Sequence, residues 1–331
     1  MEPTAQKAKK TDSANPKWQG MLLRRGDAIA IVVILAALMV VGTFLDYSLD
    51  AALYHPGSRL GLVLAGYGQL PSSAGAVMAG TLFLIGRSRK NRAVGILECL
   101  IGLVMIAVGV YMLCENPVEY MEMRLALSCV IAVVITVLMI ALAVFVSRKA
   151  GQEDILLVAF VFLLTIVLQM VIINIIKVPW GRPRMRLIET DARAYFMPWY
   201  HAGAALKNAL VAVGVEAEEF KSFPSGHTGH AVILMLYGLL PWLRSGGGLR
   251  TDAKGVGAMS FVPSIRLFIW IGFVWGWLVA FSRMIMGAHF LTDTTIGFAV
   301  SFLCVLFIPA LVFWIRQYGQ ERAENSRKSH S

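Results

Sequence analysis

Charged residues are scarce in this sequence. They make up 15% of its 331 residues, where a soluble domain carries about 25%. Apolar residues account for 57% of the chain, and they fall in runs of about twenty, the length that crosses a bilayer, not in periodic faces. That distribution excludes an ordinary soluble domain and reads as transmembrane helices. Cysteine is equally sparse. Cys99, Cys114, Cys129 and Cys304 lie in or at the edge of apolar runs, without paired spacing or a neighbouring histidine cluster. They point to neither a disulfide framework nor a zinc site. Internal repeats are absent, and the only low-complexity stretch is the glycine run at 246–248, which reads as a flexible cytoplasmic connector.

The net charge of +10 does not imply a nucleic-acid partner, because the basic residues sit between the apolar runs and at the two ends. Residues 1–27 form a basic tail with Lys7, Lys9, Lys10, Lys17, Arg24 and Arg25. The runs predict eight spans, at 28–45, 71–85, 93–114, 125–146, 155–176, 227–243, 267–281 and 291–315. The first is too long for a signal-peptide core and no cleavage site follows it, so a retained helix is expected. Residues 46–54 place Leu49, Ala52 and Leu53 at helical spacing, as in a short interfacial helix. Basic loops (Arg87, Arg89, Lys90, Arg92; Arg148, Lys149; Arg244, Arg250, Lys254, Arg266; Arg316, Arg322, Arg327, Lys328) alternate with a loop holding Glu115, Glu119 and Glu122. By the positive-inside rule both termini are then cytoplasmic. The long 178–224 loop falls outside, and its Trp, Tyr, Met and Arg content suggests a segment folded at the surface.

Unusual polar residues concentrate in three short segments at one face. The first runs from Lys177 through Arg182 to Arg184, the second is Pro224-Ser225-Gly226-His227, and the third holds Ser282, Arg283, His289 and Asp293. Lys177, Arg182, Arg184 and Arg283 gather cations that only an anion would reconcile, and arginine forks suit phosphate oxygens. Ser225 and Gly226 precede a helix whose free N–H groups favour an anion. One histidine can attack phosphorus while the other protonates the leaving oxygen. Asp293, four residues after His289, would share its helical face and accept the imidazole N–H. Singly, each piece is ordinary: Lys177 could snorkel, and Pro-Ser-Gly is common turn chemistry. Their shared order, spacing and placement are far more specific. His230 fits no position in the set and reads as structural. Arg182 stands between phosphate contact and loop support. Trp199, Tyr200 and His201 read as an interfacial aromatic belt. Glu98, an acid within a span, is expected to pair with Arg92 or reach the headgroups.

These segments resemble the signature of the type 2 phosphatidic acid phosphatases, which share their site with vanadium-dependent haloperoxidases. That signature is Lys-(six residues)-Arg-Pro, then Pro-Ser-Gly-His, then Ser-Arg-(five residues)-His-(three residues)-Asp. Only Met185, where proline is expected, departs from it. The resemblance covers residues 155 to 315. It implies His289 as nucleophile, His227 as general acid, Asp293 as the residue orienting His289, and Lys177, Arg184, Ser225, Gly226 and Arg283 as phosphate ligands. The expectation is an all-α polytopic bundle without cofactor or metal. Its parts are a basic tail (1–27), N-terminal helices (28–154), a phosphatase core (155–315, with outer loop 178–224) and a cytoplasmic tail (316–331). The expected reaction is hydrolysis of a lipid phosphate or diphosphate, phosphatidic acid-like or undecaprenyl diphosphate-like, at the outer leaflet of a bacterial cytoplasmic membrane, through a phosphohistidine. The partners are then membrane lipids and the phosphorylated lipid, not nucleic acid, with oligomeric state open. The rival class is a headgroup-binding transporter or scaffold without catalysis.

Overall fold

The computed structural model describes residues 23, 25–247 and 262–329. The basic tail up to Arg24 (Leu23 excepted), the 248–261 connector with Arg250 and Lys254, and the last two residues lie outside the described residues. Every regular element among the described residues is helical. The protein is an all-α polytopic bundle, with seven helices among the described residues long and apolar enough to cross a membrane.

Helix α1 (Arg25–Leu53) runs unbroken through the stretch expected to split into a span and an interfacial helix. Nothing in 46–54 breaks helical hydrogen bonding, and its acids Asp46 and Asp50 are buried against the bundle instead of facing water. Helix α2 (Arg59–Tyr67) and α3 (Leu70–Gly86) together form the second apolar run, longer than expected because α2 opens it twelve residues before Pro71. Helices α4 (Arg92–Met121) and α5 (Leu125–Ser147) follow. The apolar windows of α1 and α5 are only 17% buried within the protein, while that of α2–α3 is 83% buried. Lipid therefore solvates the first two and protein surrounds the third. The composition of α3 explains its place. Gly75, Gly80, Ala74, Ala76 and Ala79 let neighbours approach closely, and a Cβ on Gly80 would stand 2.4 Å from the carbonyl oxygen of Gly102 on α4.

Helix α6 (Gln152–Trp180) ends at Gly181, whose left-handed φ of 69° stops the winding. The outer segment then carries α7 (Met185–Thr190) and α8 (Ala204–Val211) over a small core of Leu187, Ala194, Leu210 and Phe220. It is stitched down by Trp180 Nε1 donating to Trp199 O (2.9 Å), and by Trp199 Nε1 donating to Thr43 Oγ1 on α1 (3.0 Å). Trp199 is thereby a structural anchor of this segment.

The sixth expected span, 227–243, is not one of these seven helices. The stretch is broken into α9 (Gly226–Val232), a tight 3-10 turn (Ile233–Gly238) and α10 (Leu239–Arg244), so eight membrane-length helices were expected and seven are found among the described residues. Helix α11 (Val262–Ile285) packs against this stretch, and a Cβ on Gly272 would stand 2.6 Å from Met235 Cγ. Helix α12 (Leu291–Ser329) closes the bundle against α1, α6 and α9. Arg266 pairs with Asp27 (2.9 Å), and Arg316 pairs with Asp154. These bonds tie the start of α11 to the start of α1, and the later part of α12 to the start of α6. Glu98 pairs with neither Arg92 nor an external group. It is buried and accepts the backbone N–H of Ser88 at 2.5 Å, holding the turn between α3 and α4.

Candidate active site

At the opposite ends of α6, α11 and α12, helix termini converge. Lys177 stands in the last turn of α6, Arg283 in the last turn of α11, and α9 and α12 both begin there. Ser225 caps α9. Its hydroxyl accepts the Thr228 Oγ1–H at 3.1 Å, and its own N–H donates to Asp293 O at 2.9 Å. Lys177 Nζ lies 3.6 Å from where a Cβ on Gly226 would stand, and no other part of the described residues beyond the helix's own backbone and Gly226's chain neighbours comes within 4 Å of that point. The first N–H groups of α9 and the Lys177 ammonium therefore look into the same space.

Three further side chains face this region with buried nitrogens that have no hydrogen-bond partner among the described residues: Arg283 Nε and Nη1, Arg184 Nε, and His227 Nε2. Unmet buried donors are costly and uncommon. Several on cationic groups at one place are donors that the oxygens of an anion can satisfy. Arg184 touches Glu218 and Glu219 only at 3.6 and 3.7 Å, beyond hydrogen-bond length. Glu219 is occupied instead by the Arg186 fork at 2.5 and 2.9 Å. The ring of Tyr120, near the end of α4, meets His227 edge-on with centroids 4.8 Å apart, and Arg283 lies 5.6 Å from the Tyr120 ring centre.

His289 lies in the turn between α11 and α12 and is 2% exposed. Burial first, then the charges of Lys177, Arg184, Arg283 and His227, hold its imidazole well below the ordinary histidine range. Its Nδ1 is 2.5 Å from the carbonyl oxygen of Ser222. A carbonyl only accepts, so Nδ1 carries the hydrogen and Nε2 keeps its lone pair.

This corrects one expected contact. Asp293 does not take the imidazole N–H. One of its oxygens accepts the Phe290 N–H (2.8 Å) and the Ser222 Oγ–H (2.5 Å), and the other pairs with Arg182. The same-face argument assumed one helix through both residues. Helix α12 starts only at Leu291, so His289 precedes it, and Asp293 caps the helix start. Asp293 reaches His289 at one remove, through Ser222.

Arg182 takes the support position of its two alternatives. It is fully buried, with Nε donating to Met197 O (2.8 Å), Nη1 to Thr292 Oγ1 (2.9 Å) and to Asp293, and Nη2 to Asp46 (2.9 Å). The Phe290 ring covers it at 4.3 Å. His230 is likewise bound structurally: its Nδ1 lies 2.9 Å from Ser72 Oγ and 3.1 Å from Gln169 Nε2. Among the described residues no group of three or more His, Cys, Asp and Glu side chains is arranged to hold a metal.

Sequence reasoning passed over Ser222, Tyr120, Thr292 and Asp46. A signal existed for the last, because an acid in a membrane helix is a functional suspect. Ending the first span at Leu45 concealed it.

Residues 158–317 match the PAP2 superfamily. No curated protein and no solved structure matches the chain. The stretch that carries all three segments, and with them both histidines, therefore belongs to the PAP2 superfamily.

Proposed function

We propose that the chain is a membrane-embedded phosphatase that hydrolyses a lipid phosphate or diphosphate through a phosphohistidine on His289. Membership of the superfamily supports a phosphatase-type function, and the membrane-length helices support an integral membrane protein. The observation that carries the finer reading is the cluster of unmet cationic donors on Arg283 and Arg184 beside two histidines.

In this reading His289 Nε2 attacks phosphorus, and the leaving oxygen takes a proton from His227. Water then attacks the phosphohistidine, His227 accepting its proton, and inorganic phosphate departs. Ser225, whose N–H is given to Asp293 O, caps the helix that presents Gly226. Lys177, Arg184, Arg283 and the Gly226 N–H hold the three non-reacting oxygens. Their fixed charges stabilise the transition state without rearrangement. Asp293 and Arg182 keep the turn that positions His289.

Sidedness follows from charge. The end opposite the site bears Arg87, Arg89, Lys90, Arg148, Lys149, Arg244, Arg266 and Arg316, so the positive-inside rule puts the histidines at the outer leaflet. The test is inorganic phosphate release from a panel of phosphatidic acid, phosphatidylglycerol phosphate and a polyprenyl diphosphate, with EDTA present. Release that His289→Ala removes, in protein that remains monodisperse, is the expected result. Release surviving that change overturns the nucleophile. No release from any lipid by folded wild type returns the protein to a headgroup-binding role.

A further inference from the structure

Helix α1 lies outside the segment that matches the superfamily, yet one of its carboxylates is bonded into the structure beneath the nucleophile. Asp46 is 3% exposed in a helix that is otherwise largely apolar. An acid so placed is costly unless paired, and such residues usually mark function. Its Oδ1 accepts the Thr292 N–H at 3.0 Å, and its Oδ2 accepts Arg182 Nη2 at 2.9 Å and the Thr292 hydroxyl. Contact this close requires α1 and α12 to touch. They do so at Gly42, where a Cβ would stand 2.7 Å from Thr292 Cγ2 and 3.3 Å from the Thr292 nitrogen.

The bonds continue inward. Arg182 passes from Asp46 to Asp293 on its other terminal nitrogen. Asp293 accepts the Ser222 hydroxyl (2.5 Å), and the Ser222 carbonyl accepts the His289 Nδ1–H (2.5 Å). Every side chain in this series is buried, so water offers no substitute partner at any link.

We propose that Asp46 is a positioning residue for the His289 nucleophile, acting through Arg182, Asp293 and Ser222. The inference rests on the phosphatase reading above. Arg182 divides its charge between two carboxylates. With Asp46 neutral, the whole guanidinium bears on Asp293 and draws it from the Ser222 hydroxyl. The 222–224 turn then loses the bond that presents its carbonyl to the imidazole, and Nε2 loses its aim. Asp46 touches no group expected to meet phosphate, so its loss acts on kcat and spares KM. Asp50, one turn further along α1, is the internal comparison. It is fully buried, and neither of its oxygens has a hydrogen-bond partner among the described residues. Exchanging it for Asn therefore breaks no bond in the series.

The experiment uses the full-length chain purified in detergent, with short-chain phosphatidic acid in one arm and farnesyl diphosphate in the other. Wild type, D46N, D46E, D50N and T292A are compared per mole of monodisperse protein. D46N is expected to lower kcat by about 30-fold, or ~2 kcal/mol, with KM within about twofold. D46E, which restores the carboxylate one methylene out of place, should recover part of the loss, and D50N should match wild type. T292A, which removes a hydroxyl bonded to both Asp46 and Arg182, should lower kcat several-fold and carries the test if D46N does not fold. Unchanged kcat in D46N or, failing that protein, in T292A overturns the proposal. So does a loss confined to KM, a D46E no better than D46N, or a D50N as poor as D46N. An active wild type with any of these outcomes leaves the phosphatase reading standing. A folded wild type that releases no phosphate from either probe overturns both.

Discussion

His289 sits among cations, out of water, with its Nδ1 hydrogen directed at a backbone carbonyl. Burial and the neighbouring positive charges disfavour a second proton on the ring and outweigh the Nδ1 hydrogen bond, which favours one, so Nε2 is a free lone pair at neutral pH. The sign is fixed by the direction of the shift: a lowered value means protonation begins only at more acid pH. After correction for the titration of the substrate itself, kcat/KM should hold level as pH falls through about 6.5 and decline below it. A limb centred near or above that value would show that His289 is not the group whose neutral form is required. Gly226 offers a second test at this scale. Beyond its own helix backbone and chain neighbours, an added Cβ meets only Lys177 Nζ among the described residues, at 3.6 Å, so Gly226→Ala should fold as wild type does. The methyl group would instead stand in the space assigned to phosphate. A rise in KM of about tenfold, ~1.4 kcal/mol, is expected in phosphate-release assays, with an unchanged thermal transition. The residues of the three motifs were legible in the sequence because their spacing is short and their chemistry unusual. The bonding of Arg182 was not, since an arginine among arginines gives no sign of which one is buried with carboxylates.

Helices α3 and α4 cross on glycine. The Cβ that Gly102 lacks would stand 2.7 Å from Gly80 O, and the one that Gly109 lacks would stand 2.6 Å from Ser73 O. In lipid, apolar surface gains little by leaving its surroundings, so close backbone packing is what holds such a pair together. Gly102→Ala should therefore destabilise the protein by about 1–3 kcal/mol, read as an earlier thermal transition in detergent, with the site chemistry of the surviving fold intact. Helix existence was readable from hydropathy at nearly every position. Boundaries were less so. The first span was expected to end at Leu45 because Asp46 and Asp50 look like interface, whereas burial against α12 and its turn let α1 continue to Leu53. The 227–243 run was read as one helix, and it folds as three pieces against α11.

Across the whole molecule, the segment matching the superfamily is not packed by itself. Helix α3 is surrounded by protein and lies against α6 and α9, and Tyr237 donates to Pro71 O at 3.0 Å. Helix α1 bears on α12 through Gly42 and Asp46. A chain beginning at Gln152 is accordingly expected to give no phosphate release and little monodisperse protein, as measured by size-exclusion chromatography and the lipid assay. Activity in that fragment would make the first helices dispensable. The sequence by itself determined that the protein lies in a membrane, that its basic loops alternate, and that two histidines and a set of cations form a phosphate-type signature. These are properties of composition and of spacing within one element, where covalent geometry sets who neighbours whom. Tertiary structure alone decided that Asp293 serves Ser222 and Arg182, and that an acid on α1 closes the series. Asp46 and Thr292 lie 246 positions apart, and no periodicity spans that distance. Their meeting depends on how closely two helices pack, which here turns on the missing side chain of Gly42.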